Sequence, residues 1–138
     1  MTSLVDTNIL VYAAGIRTTR KKQQEAIDIM ANAWPTACLS LQVLSEFSAV
    51  ALRNGMTVDA CRTMVREYQT AWTVLVPSSA TLDQALRGVE EHGLSYWDSM
   101  IWALAHERGL HEILTEDGPT GAIVEGVLFR NPFQSASD

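Results

Sequence analysis

Short apolar runs alternate along the chain with longer stretches whose apolar side chains recur every three to four residues. Ser3-Leu4-Val5 is the first such run, and it passes directly into Asp6-Thr7-Asn8, residue types that start helices. A short helix over 9–14 then stops near Gly15. Beyond a polar stretch carrying Arg17, Arg20, Lys21 and Lys22, the spacing of Ala26, Ile27, Met30 and Ala33 predicts a helix over 23–33. Ala37-Cys38-Leu39 is a second strand, entered after Pro35. Ser40 caps a helix over 41–53 whose Val43, Leu44, Phe47, Val50 and Ala51 form one apolar stripe, and Asn54-Gly55 closes it. Thr57 opens the next helix, through Cys61, Met64, Val65 and Tyr68. Trp72-Thr73-Val74-Leu75-Val76 is rich in β-formers and ends at Pro77. Helices over 81–92 and 96–108 follow, with Gly93 and Gly109 at their left-handed ends and Ser95 capping the second. Ile113-Leu114-Thr115 and Val127-Leu128-Phe129 bring the total to about five strands.

Strands alternating with helices build βαβ units, so the expected class is α/β, with a mainly parallel sheet covered on both faces. Right-handed crossovers then align the C-terminal ends of the strands along one edge, where open α/β sheets bind ligands. The chemistry is to be sought just after each strand. The 138 residues fit one domain over 1–133 with a polar tail over 134–138. Hydrophobic residues at 47% and charged residues at 19% describe a folded globule, not a disordered chain. No apolar run approaches the roughly 18 residues that span a bilayer, and a strand beginning at Ser3 leaves no room for a signal peptide. Cys38 and Cys61 sit among apolar neighbours and are expected as free buried thiols, which together with the missing signal points to the cytoplasm. The net charge of -6 argues against gripping nucleic acid by bulk positive charge. It leaves open a nuclease whose acids are gathered at a metal site.

Four acids stand where that edge should be. Asp6 follows the first strand, Glu46 lies two turns into the helix after the second, Asp98 opens a helix, and Asp117 follows the fourth strand. Asp6 can equally cap a helix, Asp98 stands three residues after Ser95 as in a capping box, and Asp117-Gly118 can be a plain turn. Glu46 is harder to explain away. At 100° per residue it lies about 40° from Val50 and about 60° from Val43, on the shoulder of the apolar stripe. Gln42, Val43, Ala49 and Val50 occupy its i±3 and i±4 positions, so no basic neighbour on the helix pairs with it. Its partner must come from elsewhere in the fold, or be an ion. Converging carboxylates without a basic neighbour repel one another unless a divalent cation neutralises them. An all-oxygen set without His or Cys suits Mg²⁺ or Mn²⁺ over Zn²⁺, and such ions support phosphodiester hydrolysis.

These residues resemble a known family. Leu4-Val5-Asp6-Thr7-Asn8-Ile9-Leu10, Ser45-Glu46-Phe47, Ser95-Tyr96-Trp97-Asp98-Ser99-Met100-Ile101 and Leu114-Thr115-Glu116-Asp117 are similar to the four acidic motifs of PIN-domain ribonucleases, in order and across nearly the whole chain. Gly126-Val127 to Asn131-Pro132-Phe133 resembles the final strand of VapC-type toxins. The resemblance implies a three-layer α/β/α sandwich and a Mg²⁺- or Mn²⁺-dependent endoribonuclease, a toxin paired with an antitoxin and forming homodimers. It also implies that Asp6, Glu46, Asp98 and Asp117 form the acidic site, with Asp6 and Asp98 as direct metal ligands. Asp117 would then act through a second ion or a water, Glu46 would orient water or metal, and Asn8 and Thr115 would support them. Glu116 competes with Asp117 for the fourth place, which the motif match gives to Asp117.

Two other readings remain on the sequence: a non-RNA phosphatase or phosphotransferase with Asp6 as nucleophile, and a catalytically silent PIN-like binding module. The haloacid-dehalogenase pattern wants a second Asp where Asn8 stands. Arg17, Arg20, Lys21 and Lys22 form the one basic run and are candidates for holding an RNA backbone, against an ordinary solvated helix entry. Trp34, Trp72, Trp97 and Trp102 are expected in the core or an interface, Trp97 drawing notice beside Asp98. His92, His106 and His111 fall at helix ends or in a connection, with no metal-site spacing.

Overall fold

The computed structural model describes residues 1–133; the tail over 134–138 lies outside the described residues. In chain order the elements are β1 (Ser3–Val5), α1 (Thr7–Ala13), α2 (Arg20–Ala33), β2 (Ala37–Ser40), α3 (Leu41–Arg53), α4 (Val58–Ala71), β3 (Val74–Leu75), α5 (Ser79–His92), α6 (Tyr96–Glu107), β4 (Glu112–Leu114), β5 (Ile123–Val124) and β6 (Val127–Arg130). The strands form one sheet of order β3-β2-β1-β4-β6-β5. All pairings are parallel except β5 with β6. Helix α6 lies on β1, β4 and β6 and pairs with α5, while α3 lies on β2 and packs with α1 and α4, giving a three-layer α/β/α sandwich.

Six strands, not five, make the sheet among the described residues. The added one, β5, has two residues, and its Ile123 is 70% exposed, so it carries no burial signal in the sequence. It exists through a hairpin: Glu125 and Gly126 both have positive φ (47° and 85°), the backbone demanded by a two-residue turn whose twist matches antiparallel strands. The strand expected over 72–76 shortens to Val74–Leu75, because the Trp72 N–H is still occupied by the Tyr68 carbonyl at the end of α4. Ser40, Thr57 and Ser95 cap α3, α4 and α6 by accepting backbone N–H groups, as their sequence positions imply.

From β1 the chain steps outward through β2 to β3, then returns to the other side of β1 for β4 and β6. The reversal lies between β1 and β4, and at such a switch point the flanking loops part to leave a crevice. β1 is wholly buried at Ser3, Leu4 and Val5, as a parallel strand covered on both faces must be. Leu4, Ile113, Phe47, Phe129 and Trp102 pack the centre.

The α5–α6 pair is held at close range by Gly88. A Cβ there would overlap Ser99 Oγ and lie 2.8 Å from the Trp102 ring. The Ser99 hydroxyl donates to the Ala85 carbonyl, and the Trp102 indole N–H donates to the Val124 carbonyl at 3.0 Å. Gly88→Ala should therefore destabilise the fold by about 1–3 kcal/mol despite the better helix propensity of alanine. Urea unfolding at constant m-value measures this; an unchanged midpoint would mean the two helices separate freely.

Candidate active site

The residue after β1 carries a carboxylate with both oxygens hydrogen-bonded. Asp6 is the N-cap of α1: its Oδ1 accepts the Thr7 N–H at 2.7 Å. Its Oδ2 accepts the Thr115 hydroxyl at 2.9 Å, from the end of the neighbouring β4. Asp6 is thus both the helix cap and a group facing the switch-point crevice. Burial pushes its carboxyl up to about 6, the two hydrogen bonds oppose the rise, and the charges of Glu46 and Asp98 add to it.

Thr115 is 1% exposed, and its hydroxyl also accepts from Asn8 Nδ2 at 3.1 Å and from the Asp117 N–H at 3.1 Å. Asn8 turns its amide to the same loop, donating to Asp117 Oδ2 at 3.3 Å and accepting the Glu116 N–H at 3.2 Å. These bonds tie the ends of β1 and β4 into one polar unit. Glu46 reaches the crevice from α3, where its carboxylate accepts the Gln42 amide at 2.9 Å and the Thr7 hydroxyl at 3.2 Å. Its partners are neutral donors, one of them at i−4 on its own helix. Asp98 enters from the first turn of α6. The Ser95 hydroxyl caps its N–H at 3.3 Å, and its carboxylate faces Gly118 so closely that a Cβ there would lie 3.2 Å from Oδ1. Gly118 has φ +87°.

Asp6, Glu46, Asp98 and Asp117 line one open cavity of about 410 Å³, with Val11, Tyr12, Val50 and Trp97 supplying apolar wall and Arg17 the one basic side chain. The acids ring this space without closing on a point. Among the described residues, the only three His, Cys, Asp or Glu side chains with donor atoms all within 4.8 Å of one another are Glu91, His92 and Glu125, outside this cavity. Carboxylate oxygens lining an open cavity are the donor type that a hard cation takes, with waters completing its shell. The donors are all oxygen, and among the described residues no lysine or arginine salt-bridges any of the four acids.

Several candidates from the sequence are rearranged. The basic run splits. Arg17, at the left-handed φ of 52°, lines the cavity and donates Nε to Asn54 Oδ1 at 2.9 Å. Arg20 and Lys21 point to solvent at the start of α2. Lys22 is turned inward to a salt bridge with Glu116 and lies over the rings of Tyr12 and Phe133 at 4.7 and 4.8 Å. As an RNA contact it is already committed. The same bridge, with the Tyr12 hydroxyl donating to Glu116 at 2.9 Å, draws Glu116 away from the cavity and leaves Asp117 there. Trp34 and Trp97 are exposed at 54% and 61%, whereas Trp102 is buried. Histidine spacing gave no hint that His92 and His106 gather on Glu125. Arg87 binds that carboxylate in a fork at 2.8 and 3.1 Å, and its guanidinium, then His92, holds Glu125 down to about 2. Cys38 and Cys61 are free and buried, and no described helix is long and apolar enough to cross a membrane.

The family model for the PIN domain matches residues 3–118, from β1 to the loop that carries Asp117. The chain belongs to the PIN-domain family. No curated protein matches it in sequence. Among solved structures, this PIN domain is similar to a toxin–antitoxin complex from Klebsiella pneumoniae, with TM-score 0.72 and 23% identity over 97% of this chain and 100% of that one. It is also similar to the VapC20 toxin of Mycobacterium tuberculosis, described as cleaving the sarcin–ricin loop, with TM-score 0.69 and 19% identity over 84% and 90% of the two chains. VapBC2 of Rickettsia felis, bound to a promoter DNA fragment, gives TM-score 0.66 and 15% identity over 95% and 98%.

The raised Asp6 carboxyl makes the stability of the metal-free PIN domain depend on pH. The folded state holds this proton from about 6 downward, and the unfolded chain only below 3.8. Its contribution is therefore fully present below pH 3.8 and is lost as pH rises to about 6. The loss is on the order of 2–3 kcal/mol. Urea unfolding in EDTA at pH 4 and pH 6.5 should show it on comparing wild type with Asp6→Asn, in which this part of the slope disappears. Equal slopes in the two proteins would place the Asp6 proton elsewhere.

Proposed function

We propose that this PIN domain is a metal-dependent endoribonuclease and the toxin of a VapBC-type toxin–antitoxin pair, working in the cytoplasm as a homodimer. The observation that carries the reading is the placement of Asp6, Glu46, Asp98 and Asp117 around one cavity at the switch point, with no salt bridge to a lysine or arginine among the described residues. The similarity to solved toxin–antitoxin structures supports the toxin and its antitoxin partner. An exposed apolar stripe on α5, Leu82, Leu86 and Val89, supports contact with a second copy.

Asp6 and Asp98 would hold the ion directly, Asp117 would act through a water or a second ion, and Glu46 would orient water or metal. A bound Mg²⁺ or Mn²⁺ supplies Lewis-acid polarisation of the phosphate and lowers the pKa of its water. The chain's own part is positional. Thr115 and the Thr7 N–H fix both oxygens of Asp6, and Asn8 carries that order to Asp117. Gln42 and Thr7 hold the Glu46 carboxylate by neutral hydrogen bonds, with no cationic side chain on it among the described residues. Asn8 stands where the phosphatase pattern wants a second Asp, which disfavours the phosphatase reading.

Asp98→Asn should abolish Mg²⁺-stimulated cleavage of structured RNA while moving stability by no more than about 1 kcal/mol, since the α6 cap comes from Ser95 and not from the Asp98 carboxylate. Saturating Mg²⁺ should also raise the melting temperature of wild type more than that of the variant. Gel assays of RNA cleavage and thermal melts, each with EDTA or Mg²⁺, check both. Wild-type cleavage by Asp98→Asn, or a wild-type melt indifferent to divalent ions, would remove the metal site and the nuclease with it.

A further inference from the structure

The cavity poses an electrostatic problem for any polyanion. Four carboxylates line it, Arg17 is its one basic side chain, and the chain carries a net charge of -6. Even with a divalent ion in place, phosphate contacts alone give a strand few footholds, and binding energy must come from contacts that do not depend on charge. Stacking of a base on an aromatic face is such a contact, because every base has a π-face and stacking costs no counterion exchange.

Trp97 is built for it. It is 61% exposed yet lines the cavity, one residue from Asp98 in the first turn of α6. Its ring is braced edge-to-face by Tyr96, at 5.0 Å between centroids and 73° between planes, so a large aromatic surface is held beside the acids without being buried. The contrast within the protein is informative. The Trp102 and Trp34 indoles each donate to a backbone carbonyl, Val124 and Ala71, whereas among the described residues the Trp72 and Trp97 indole N–H groups make no hydrogen bond, and of these two Trp97 is the one that lines the cavity. At 61% exposure this side chain leaves most of its apolar surface in contact with water.

We propose that Trp97 is the platform on which one unpaired base of the substrate stacks, next to the phosphate presented to Asp6 and Asp98. This rests on the ribonuclease reading above. The base must be unpaired, since a base inside a duplex has its faces covered by its neighbours. Trp97 thereby selects the local shape of the RNA, while the acids act on whatever phosphodiester that base brings to them.

The test uses the full chain carrying Asp6→Asn, so that bound RNA stays intact, and adds Trp97→Leu or Trp97→Phe. Leucine keeps bulk and apolarity without a ring; phenylalanine keeps a ring. Fluorescence anisotropy with a labelled 12-nucleotide single-stranded RNA, and with the same strand in a perfect duplex, is read in Mg²⁺. Trp97→Leu should weaken single-strand binding about tenfold or more, Trp97→Phe should stay within about threefold, and duplex binding should not respond to either change. Thermal melts of all three proteins should coincide, because Trp97 is exposed. Single-strand affinity unchanged in Trp97→Leu would overturn the proposal, as would a loss shared equally by strand and duplex. If Trp97→Leu spared RNA and weakened only capture by a protein partner, the residue would be a protein anchor and the proposal would fall. If the protein retaining Trp97 held neither RNA form, the ribonuclease reading itself would fail, a result distinct from the others.

Discussion

The site depends on holding a carboxylate at Asp6 without a cationic side chain of the protein's own. A half-buried acid at the end of a central parallel strand would ordinarily meet a lysine or arginine, and here it meets a backbone N–H and a threonine hydroxyl. Those two donors lower the penalty of burial without cancelling it, which is why the group still sits at about 6. The remaining demand for positive charge is what an ion would satisfy. Much of the surrounding structure follows from keeping that demand open: Thr115 is buried, Asn8 is spent on the loop, and Glu46 is satisfied by neutral partners.

The one lysine near enough to interfere is kept occupied elsewhere. Lys22 is caught between Glu116, Tyr12 and Phe133. The Tyr12 hydroxyl, driven up to about 12 by burial and by the neighbouring carboxylate, stays a donor to Glu116 at every physiological pH. Two adjacent acids in the same loop thus have opposite fates, one pinned by a cation and one left facing the cavity. Sequence adjacency alone cannot separate them, because the deciding partner is 94 positions away in the chain.

Helix positions, caps and the parallel core were legible in the residues, since apolar periodicity and Ser or Thr caps are local signals. Leu41–Arg53 has the bounds that its stripe and its Asn54-Gly55 stop imply. The antiparallel β5 was not legible, because a two-residue edge strand with an exposed isoleucine buries too little to leave a pattern. At the site, the four acids could be nominated from their place after strands and at helix starts. Their mutual arrangement could not: the sequence expects them to converge, whereas in the fold they ring the cavity, tied together in part through Thr7 and Thr115. The fates of Arg17 and Lys22, five residues apart in one basic run, were equally hidden, since one is set by a left-handed backbone and the other by a tertiary salt bridge.

Gly118 gives the site a property that its charges do not. Its left-handed backbone disfavours side chains, and any Cβ would press on the Asp98 carboxylate at 3.2 Å. The gap between α6 and the loop after β4 is therefore set by main chain on one side and by carboxylate on the other. Any side chain at this position would crowd Asp98, even though glycine takes no part in the chemistry. The spacing between α6 and this loop is thus a backbone dimension, kept by the absence of a methyl group.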